Sequence, residues 1–66
     1  MQWALVRFRE DGILSDPIKF HLLEANGEDA ISAQLEEGDM CMAPYLDGEK
    51  YEAKIVRILS KLNYII

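Results

Sequence analysis

Two mostly apolar segments, separated by a polar turn, lie within residues 38–58 and predict two β-strands joined by a tight turn. The strands, residues 40–45 and 51–58, are rich in β-branched, aromatic and sulfur-containing side chains, which suit extended backbone. Residues 46–49 lie between them and contain an Asp-Gly pair, which readily adopts the positive φ that a tight hairpin turn requires. This β-hairpin is the strongest local signal in the chain.

The N-terminal third of the chain predicts a second hairpin. Residues 3–8, WALVRF, form a strand in which the even-numbered side chains share one face, and another Asp-Gly pair ends the turn at residues 9–12. The return strand covers residues 13–15 and resumes over residues 18–23. It is interrupted because Pro17 cannot donate a hydrogen bond to a neighbouring strand and therefore belongs at an edge or a bulge.

The strand pattern is lost over residues 24–37, which predict an acidic loop with a turn at residues 25–27 and at most one helical turn over residues 29–35. A short final strand is predicted over residues 63–66. The chain thus contains about five short strands, and we expect an all-β fold in which they form a small, strongly bent barrel, because closure removes exposed sheet edges.

The length of 66 residues allows one domain, residues 1–66, because a chain this short buries only about 60% of its unfolded surface. Hydrophobic residues make up 50% of the sequence, which favours a folded domain over a disordered tail. The sequence contains no repeat, linker or low-complexity tract. We expect the domain to be part of a longer protein.

The net charge of −5 is unevenly distributed. Residues 24–52 contain nine acidic side chains and one lysine, whereas residues 53–66 contain three cations and no acid. An acidic surface attracts basic peptides and repels phosphate, so this distribution favours a basic protein partner and disfavours nucleic acid. The alternative interpretation is that the charge serves solubility alone.

The sequence lacks a recognisable catalytic or metal-binding set, and we expect no enzyme activity and no cofactor. His21 is the only histidine and Cys41 the only cysteine, so neither a His-rich zinc site nor an internal disulfide is expected. We interpret Cys41 as a small buried hydrophobic residue in a strand. A single cysteine, and no apolar run near the roughly 20 residues that span a bilayer, predict an intracellular protein without a membrane segment.

The residue order along the central hairpin carries a family resemblance. A Gly-Asp pair is followed by alternating small residues and an aromatic, and the next strand begins with an aromatic followed by Ala and Ile: Gly38, Asp39, Cys41, Ala43 and Tyr45, then Tyr51, Ala53 and Ile55. This order resembles the first two strands of a Tudor domain, a bent SH3-like barrel that recognises methylated lysine or arginine. Alternation places both tyrosines on the same face of the hairpin, near one rim.

Residues 6–13, continuing to Ile18 and Leu22, are similar to the second half of a Tudor domain. Phe8 matches its first aromatic residue, Asp11 takes the place of the second, and Ile13 takes the place of an asparagine. The two halves occur in the opposite order from the family pattern. The chain is therefore a permuted barrel, a piece of a tandem array, or a looser relative of the SH3-like barrels.

The resemblance implies an aromatic cage of Phe8, Tyr45 and Tyr51, with Asp11 at its rim and Trp3 as a substitute wall. Such a cage would offer π faces to a methylated ammonium group. The implied function is a non-enzymatic reader of methylated, histone-like basic peptides in a nuclear, chromatin-linked protein.

Two alternatives remain open from the sequence. In the first alternative, the domain binds an unmodified peptide or a neighbouring domain through Trp3, Leu5 and residues 64–66. These last residues form an apolar end that is unusual on a free monomer. The second alternative is weak nucleic-acid binding through the basic C-terminal strand, with Lys54, Arg57, Lys61 and Tyr64.

Overall fold

The computed structural model of the protein describes residues 1–60, which form one antiparallel sheet of six strands. In chain order the strands are β1 (Trp3–Phe8), β2 (Ile18–Lys19), β3 (Glu24–Ala25), β4 (Glu28–Asp29), β5 (Met40–Pro44) and β6 (Lys50–Leu59). A short 3₁₀ helix, Phe20–Leu22, connects β2 to β3. The order across the sheet is β2-β1-β6-β5-β3-β4, and the sheet curls into a half-barrel. The all-β prediction is confirmed.

The central hairpin forms as the sequence pattern predicts. Strands β5 and β6 pair in antiparallel register, with Cys41 opposite Ala53 and Ala43 opposite Tyr51. The turn between them closes through a hydrogen bond of 2.8 Å from the Tyr45 N–H to the Glu49 carbonyl. The expected side-chain alternation is also observed, since exposed side chains alternate with buried or half-buried ones along β5 and along the first half of β6.

Strand β6 is ten residues long and pairs with β5 along one edge and with β1 along the other. The β1–β6 ladder shifts register between Leu5 and Val6, which leaves Val56 without a residue opposite it. Such a bulge increases the local twist and bends the strand. Beyond it, Ile58 lies opposite Ala4 and packs against the core. The bulge therefore lets one long strand follow the curl of the sheet while Ile55 and Ile58, on either side of it, both face the core.

The return strand after β1 is shorter than predicted. Leu14 makes only an isolated bridge to Arg7, and regular pairing resumes beyond Pro17, in the two residues of β2. Ser15 replaces part of the missing ladder, because its hydroxyl accepts a hydrogen bond of 3.0 Å from the Val6 N–H and its own N–H donates to the Val6 carbonyl at 2.7 Å. The predicted interruption at Pro17 is confirmed.

The prediction that this strand continues to residue 23 was wrong. The chain instead turns inward as the 3₁₀ helix, where the Leu23 N–H donates to the Phe20 carbonyl at 3.1 Å. Both side chains are buried. A strand would have placed Phe20 and Leu23 on opposite faces because they are three residues apart, whereas the turn lets both enter the core.

Residues 24–37 are more ordered than the predicted loop. Strands β3 and β4 form a hairpin around Asn26 and Gly27, whose φ values of 55° and 81° match the positive φ that a two-residue type I′ turn requires. The turn was predicted, and the strands were missed. Farther on, the hydrogen bond of 2.9 Å from the Ala33 N–H to the Asp29 carbonyl has the i to i+4 spacing of the one helical turn that was predicted over residues 29–35.

The described sheet has six strands where five were expected, and its end strands β2 and β4 are not paired with each other. The final strand predicted over residues 63–66 lies outside the described residues. So do Lys61 and Tyr64, on which the nucleic-acid alternative partly depends, and residues 64–66, which belong to the alternative of a docked domain.

The core lies on the concave face of the half-barrel and consists of small and medium-sized side chains. Four alanines and the cysteine are among its ten buried residues, which allows the curled strands to approach one another: Ala4, Val6, Phe8, Phe20, Leu23, Ala30, Cys41, Ala43, Ala53 and Ile55. No buried polar side-chain atom within residues 1–60 lacks a hydrogen-bond partner. Because the core contains so few large side chains, the fold tolerates a cavity in it poorly.

We predict that Leu23→Ala destabilises the domain by about 2–5 kcal/mol, because Leu23 is fully buried and truncation leaves a cavity. That loss is a large fraction of the about 5–15 kcal/mol that stabilises a typical domain. Chemical denaturation followed by circular dichroism measures it. Leu46→Ala is the matched control, because Leu46 is 93% exposed and its truncation should change the free energy of unfolding by less than about 0.5 kcal/mol. Equal losses in both variants would contradict this core.

Candidate functional site

Three aromatic side chains meet at the end of the sheet beside the β5–β6 turn. Phe8 ends β1 opposite Ala53, and Tyr51 lies two residues from Ala53 on the same face of β6, so the two rings are diagonal neighbours. Tyr45 follows β5 and packs between them. Its ring centroid is 4.9 Å from that of Phe8 and 5.7 Å from that of Tyr51, with interplanar angles of 87° and 77°. The predicted juxtaposition of the two tyrosines is confirmed.

These rings and two carboxylates line a pocket of about 120 Å³. The acidic residues are Glu10 and Asp11, both in the turn that follows β1. The structure therefore brings together Phe8, Tyr45, Tyr51 and Asp11, four of the five residues selected from the sequence. Glu10 was missed, although its position next to Asp11 in the same turn was the signal that should have included it.

Trp3, the fifth candidate, does not line this pocket. It begins β1, opposite Lys19 and Leu59, whereas Phe8 ends the same strand. Five residues of extended chain separate the two by about 17 Å. Trp3 also has the opposite side-chain parity from the buried residues of β1, so it cannot serve as a wall of this pocket.

The acidic turn is held in place by hydrogen bonds to its own backbone. The Gly12 N–H donates to the Phe8 carbonyl at 2.8 Å, and the Phe8 N–H donates to the Ile13 carbonyl at 2.9 Å. Asp11 Oδ1 accepts a hydrogen bond of 2.9 Å from the Ile13 N–H. These contacts fix the Asp11 carboxylate relative to the Phe8 ring, since both belong to the same turn.

The cation that follows Phe8 in the chain is already paired. Arg9 Nη1 lies 3.1 Å from Glu52 Oε1, and the Arg9 N–H donates to the Glu52 carbonyl at 3.0 Å. No lysine or arginine lines the aromatic pocket. Glu10 and Asp11 therefore give the pocket a negative electrostatic character, which suits a cationic ligand.

A hydrogen bond from Tyr51 to the β5–β6 turn positions its ring. The Tyr51 hydroxyl donates to Asp47 Oδ2 at 2.5 Å, while Asp47 Oδ1 accepts from the Glu49 N–H at 2.9 Å. The bond to the carboxylate raises the pKa of Tyr51 to about 12, and the same bond lowers the pKa of Asp47. This contact was not predicted, because no local pattern indicates which carboxylate a strand tyrosine meets.

Other potentially reactive groups are placed differently. Cys41 is buried in the core, and burial raises the pKa of its thiol to about 11, which keeps it protonated at neutral pH. Within residues 1–60, no group of three or more His, Cys, Asp or Glu side chains is arranged to hold a metal ion. Nor does that part of the chain contain a helix of the length and apolarity needed to cross a membrane.

No protein-family model, curated protein or solved structure matches this chain. The resemblance to Tudor domains accordingly stays a prediction from the residues of the two hairpins.

We predict that Asp47→Asn lowers the pKa of Tyr51 from about 12 towards its ordinary value of about 10, because the variant removes the charged acceptor. Following the ring resonances of each tyrosine by NMR across alkaline pH measures this shift. Asp16→Asn is the control, since it removes the same charge without contacting Tyr51. A Tyr51 pKa unchanged by Asp47→Asn would contradict the hydrogen bond.

The same contact predicts how stability depends on pH. The folded-state pKa of Tyr51 is raised, so its contribution is present below about pH 10 and is lost as the pH rises through about 12. The folded-state pKa of Asp47 is lowered, so its contribution is present above about pH 4 and is lost as the pH falls through the lowered pKa. The denaturation midpoint of wild type should therefore approach that of Asp47→Asn at both the alkaline and the acidic end of the pH range.

Proposed function

We propose that the domain is a non-enzymatic interaction module that recognises methylated lysine or arginine in a basic peptide. The observation that carries the proposal is the convergence of Phe8, Tyr45 and Tyr51 with two carboxylates around one pocket. Aromatic faces attract a methylated ammonium group, and each contact contributes about 0.5–2 kcal/mol depending on its desolvation.

The size of the pocket supports a side-chain head group as the ligand. Its volume of about 120 Å³ is well below the roughly 300–1,000 Å³ of sites that enclose a small molecule or cofactor. A methylated ammonium or guanidinium group occupies far less space than such ligands. The remainder of the peptide would lie on the outer surface, where the net charge of −5 attracts basic segments.

The carboxylates bear on which methylation state is preferred. Asp11 has one oxygen bonded to the Ile13 N–H, and its other oxygen has no hydrogen-bond partner within the described part of the chain. A mono- or dimethylated lysine keeps at least one N–H that can donate to a carboxylate, whereas trimethyl-lysine keeps none. The acidic lining therefore favours the lower methylation states.

The proposal extends to the particular type of β-fold. A Tudor-like, SH3-like barrel with its halves in permuted order accounts for the hairpin residues 38–58 and for the aromatic residue that ends β1. The host protein would then be nuclear and linked to chromatin, where methylated basic tails occur. The chain would act there as one domain of a longer protein.

The direct test is an NMR titration of the isotope-labelled domain with mono-, di- and trimethyl-lysine and dimethyl-arginine peptides, each compared with its unmodified form. We expect shifts around Phe8, Glu10, Asp11, Tyr45 and Tyr51 with methylated peptides only. Tyr51→Leu should weaken binding by about three- to thirtyfold, because one π face is lost. Tyr51→Phe is the matched control, since it keeps that face and removes only the hydroxyl.

Two outcomes would exclude methyl recognition. One is the absence of shifts at millimolar peptide in a well-folded sample, and the other is equal affinity for methylated and unmodified peptides. Affinity for DNA that falls steeply with salt would instead support the nucleic-acid alternative.

We further predict that Asp11→Asn reduces the preference for mono- and dimethyl-lysine over trimethyl-lysine, because the neutral amide is a weaker acceptor for the remaining N–H. Affinities for the three peptides, measured by the same titration, give this ratio. Glu28→Gln removes an exposed acid outside the pocket and should lower all three affinities to a similar, small extent. An unchanged ratio in Asp11→Asn would show that Asp11 does not set the methylation preference.

A further inference from the structure

A second cavity adjoins the aromatic pocket. It is a groove of about 280 Å³ between the chain segment at residues 13–18 and the end of β5 with the turn that follows it, residues 44–46. Its rim is strongly apolar, since Ile13, Leu14 and Leu46 are 50%, 45% and 93% exposed. Exposed apolar side chains gathered around one groove mark a surface that another molecule covers.

The groove and the aromatic pocket share two walls, because Phe8 and Tyr45 line both. Each cavity also has residues of its own: Tyr51 lines only the aromatic pocket, and Leu46 lines only the groove. The two cavities therefore adjoin each other across the Phe8 and Tyr45 side chains. Side by side, they offer an acidic, aromatic site suited to a cation and, next to it, a mainly apolar site.

Charge complementarity identifies the kind of occupant. Glu10 and Asp11 line the pocket and Asp16 lines the groove, and neither cavity is lined by a lysine or an arginine. A basic segment is attracted to both cavities, whereas an acidic segment, or the phosphates of nucleic acid, would meet three carboxylates.

We infer that the groove binds an apolar side chain of the same basic peptide whose methylated residue enters the aromatic pocket. The inference rests on the proposed function and adds a sequence requirement to it. Side chains on one face of an extended peptide are two residues and about 6.6 Å apart. The motif is accordingly a methylated lysine or arginine with a Leu, Ile or Val two positions away.

The test uses a host peptide of Lys, Ser and Gly with one central lysine, dimethylated or unmodified. A leucine is placed two positions before that lysine, two positions after it, or nowhere, and affinities for the full chain are measured by NMR titration. We expect leucine on one of the two sides to tighten binding about tenfold, equivalent to about 1.4 kcal/mol. The shifts should extend to the amides of Leu14 and Leu46.

Three variants separate the groove from the pocket. Leu46→Ser should abolish the tenfold gain from leucine and leave the effect of methylation unchanged. Tyr51→Leu should keep the gain from leucine and reduce the preference for the methylated peptide about three- to thirtyfold. Ile31→Ser is the matched control, because Ile31 is 61% exposed and lines neither cavity. It should change neither effect.

The outcomes distinguish the two proposals. Methyl-dependent binding that is indifferent to leucine overturns the groove and leaves the aromatic pocket standing. Equal affinity for dimethylated and unmodified peptides, together with a gain from leucine that Leu46→Ser removes, supports the groove and overturns methyl recognition. No binding of any peptide to the folded domain overturns both.

Discussion

The ladder between β1 and β6 is the interaction on which the rest of the structure depends. It joins residues about fifty positions apart in the chain, pairing Trp3 with Leu59 at one end and Phe8 with Ala53 at the other. Pairing between such distant segments is costly to form, because a long loop must first be closed. Once formed, the ladder holds the core side chains of β1 beside those of β6 and places Phe8 diagonally to Tyr51. The fold and the candidate site thus follow from one register.

The aromatic cluster belongs partly to the core and partly to the pocket. Phe8 is only 4% exposed and belongs to the buried core cluster, whereas Tyr45 and Tyr51 are half-buried and pack against that cluster. Removing Phe8 would therefore disturb folding and ligand binding together. Folding and ligand binding can be tested separately at Tyr51, because its ring lines the pocket and its hydroxyl is hydrogen-bonded to Asp47 in the turn.

Local patterns account for most of what the sequence predicted correctly. Side-chain alternation and an Asp-Gly turn specify the central hairpin, and that hairpin brings Tyr45 and Tyr51 together. Strands of two residues, such as β3 and β4, are too short to show a period. The bulge at Val56 depends on pairing with a distant strand, which no local pattern encodes. The groove was missed for the same reason, since residues 13–18 meet residues 44–46 only in the folded chain.

The pocket walls are fixed before any ligand arrives. Phe8 is anchored in the core, Tyr45 packs edge-to-face against two rings, and Tyr51 is bonded to Asp47. Preorganised side chains lose little conformational entropy on binding, so more of each contact appears as affinity. A cavity this small nevertheless offers few contacts, and a single head group supplies only a few kcal/mol. Under the proposed function, discrimination among basic peptides would therefore come from the surface around the pocket, which includes the apolar groove that shares two of its walls.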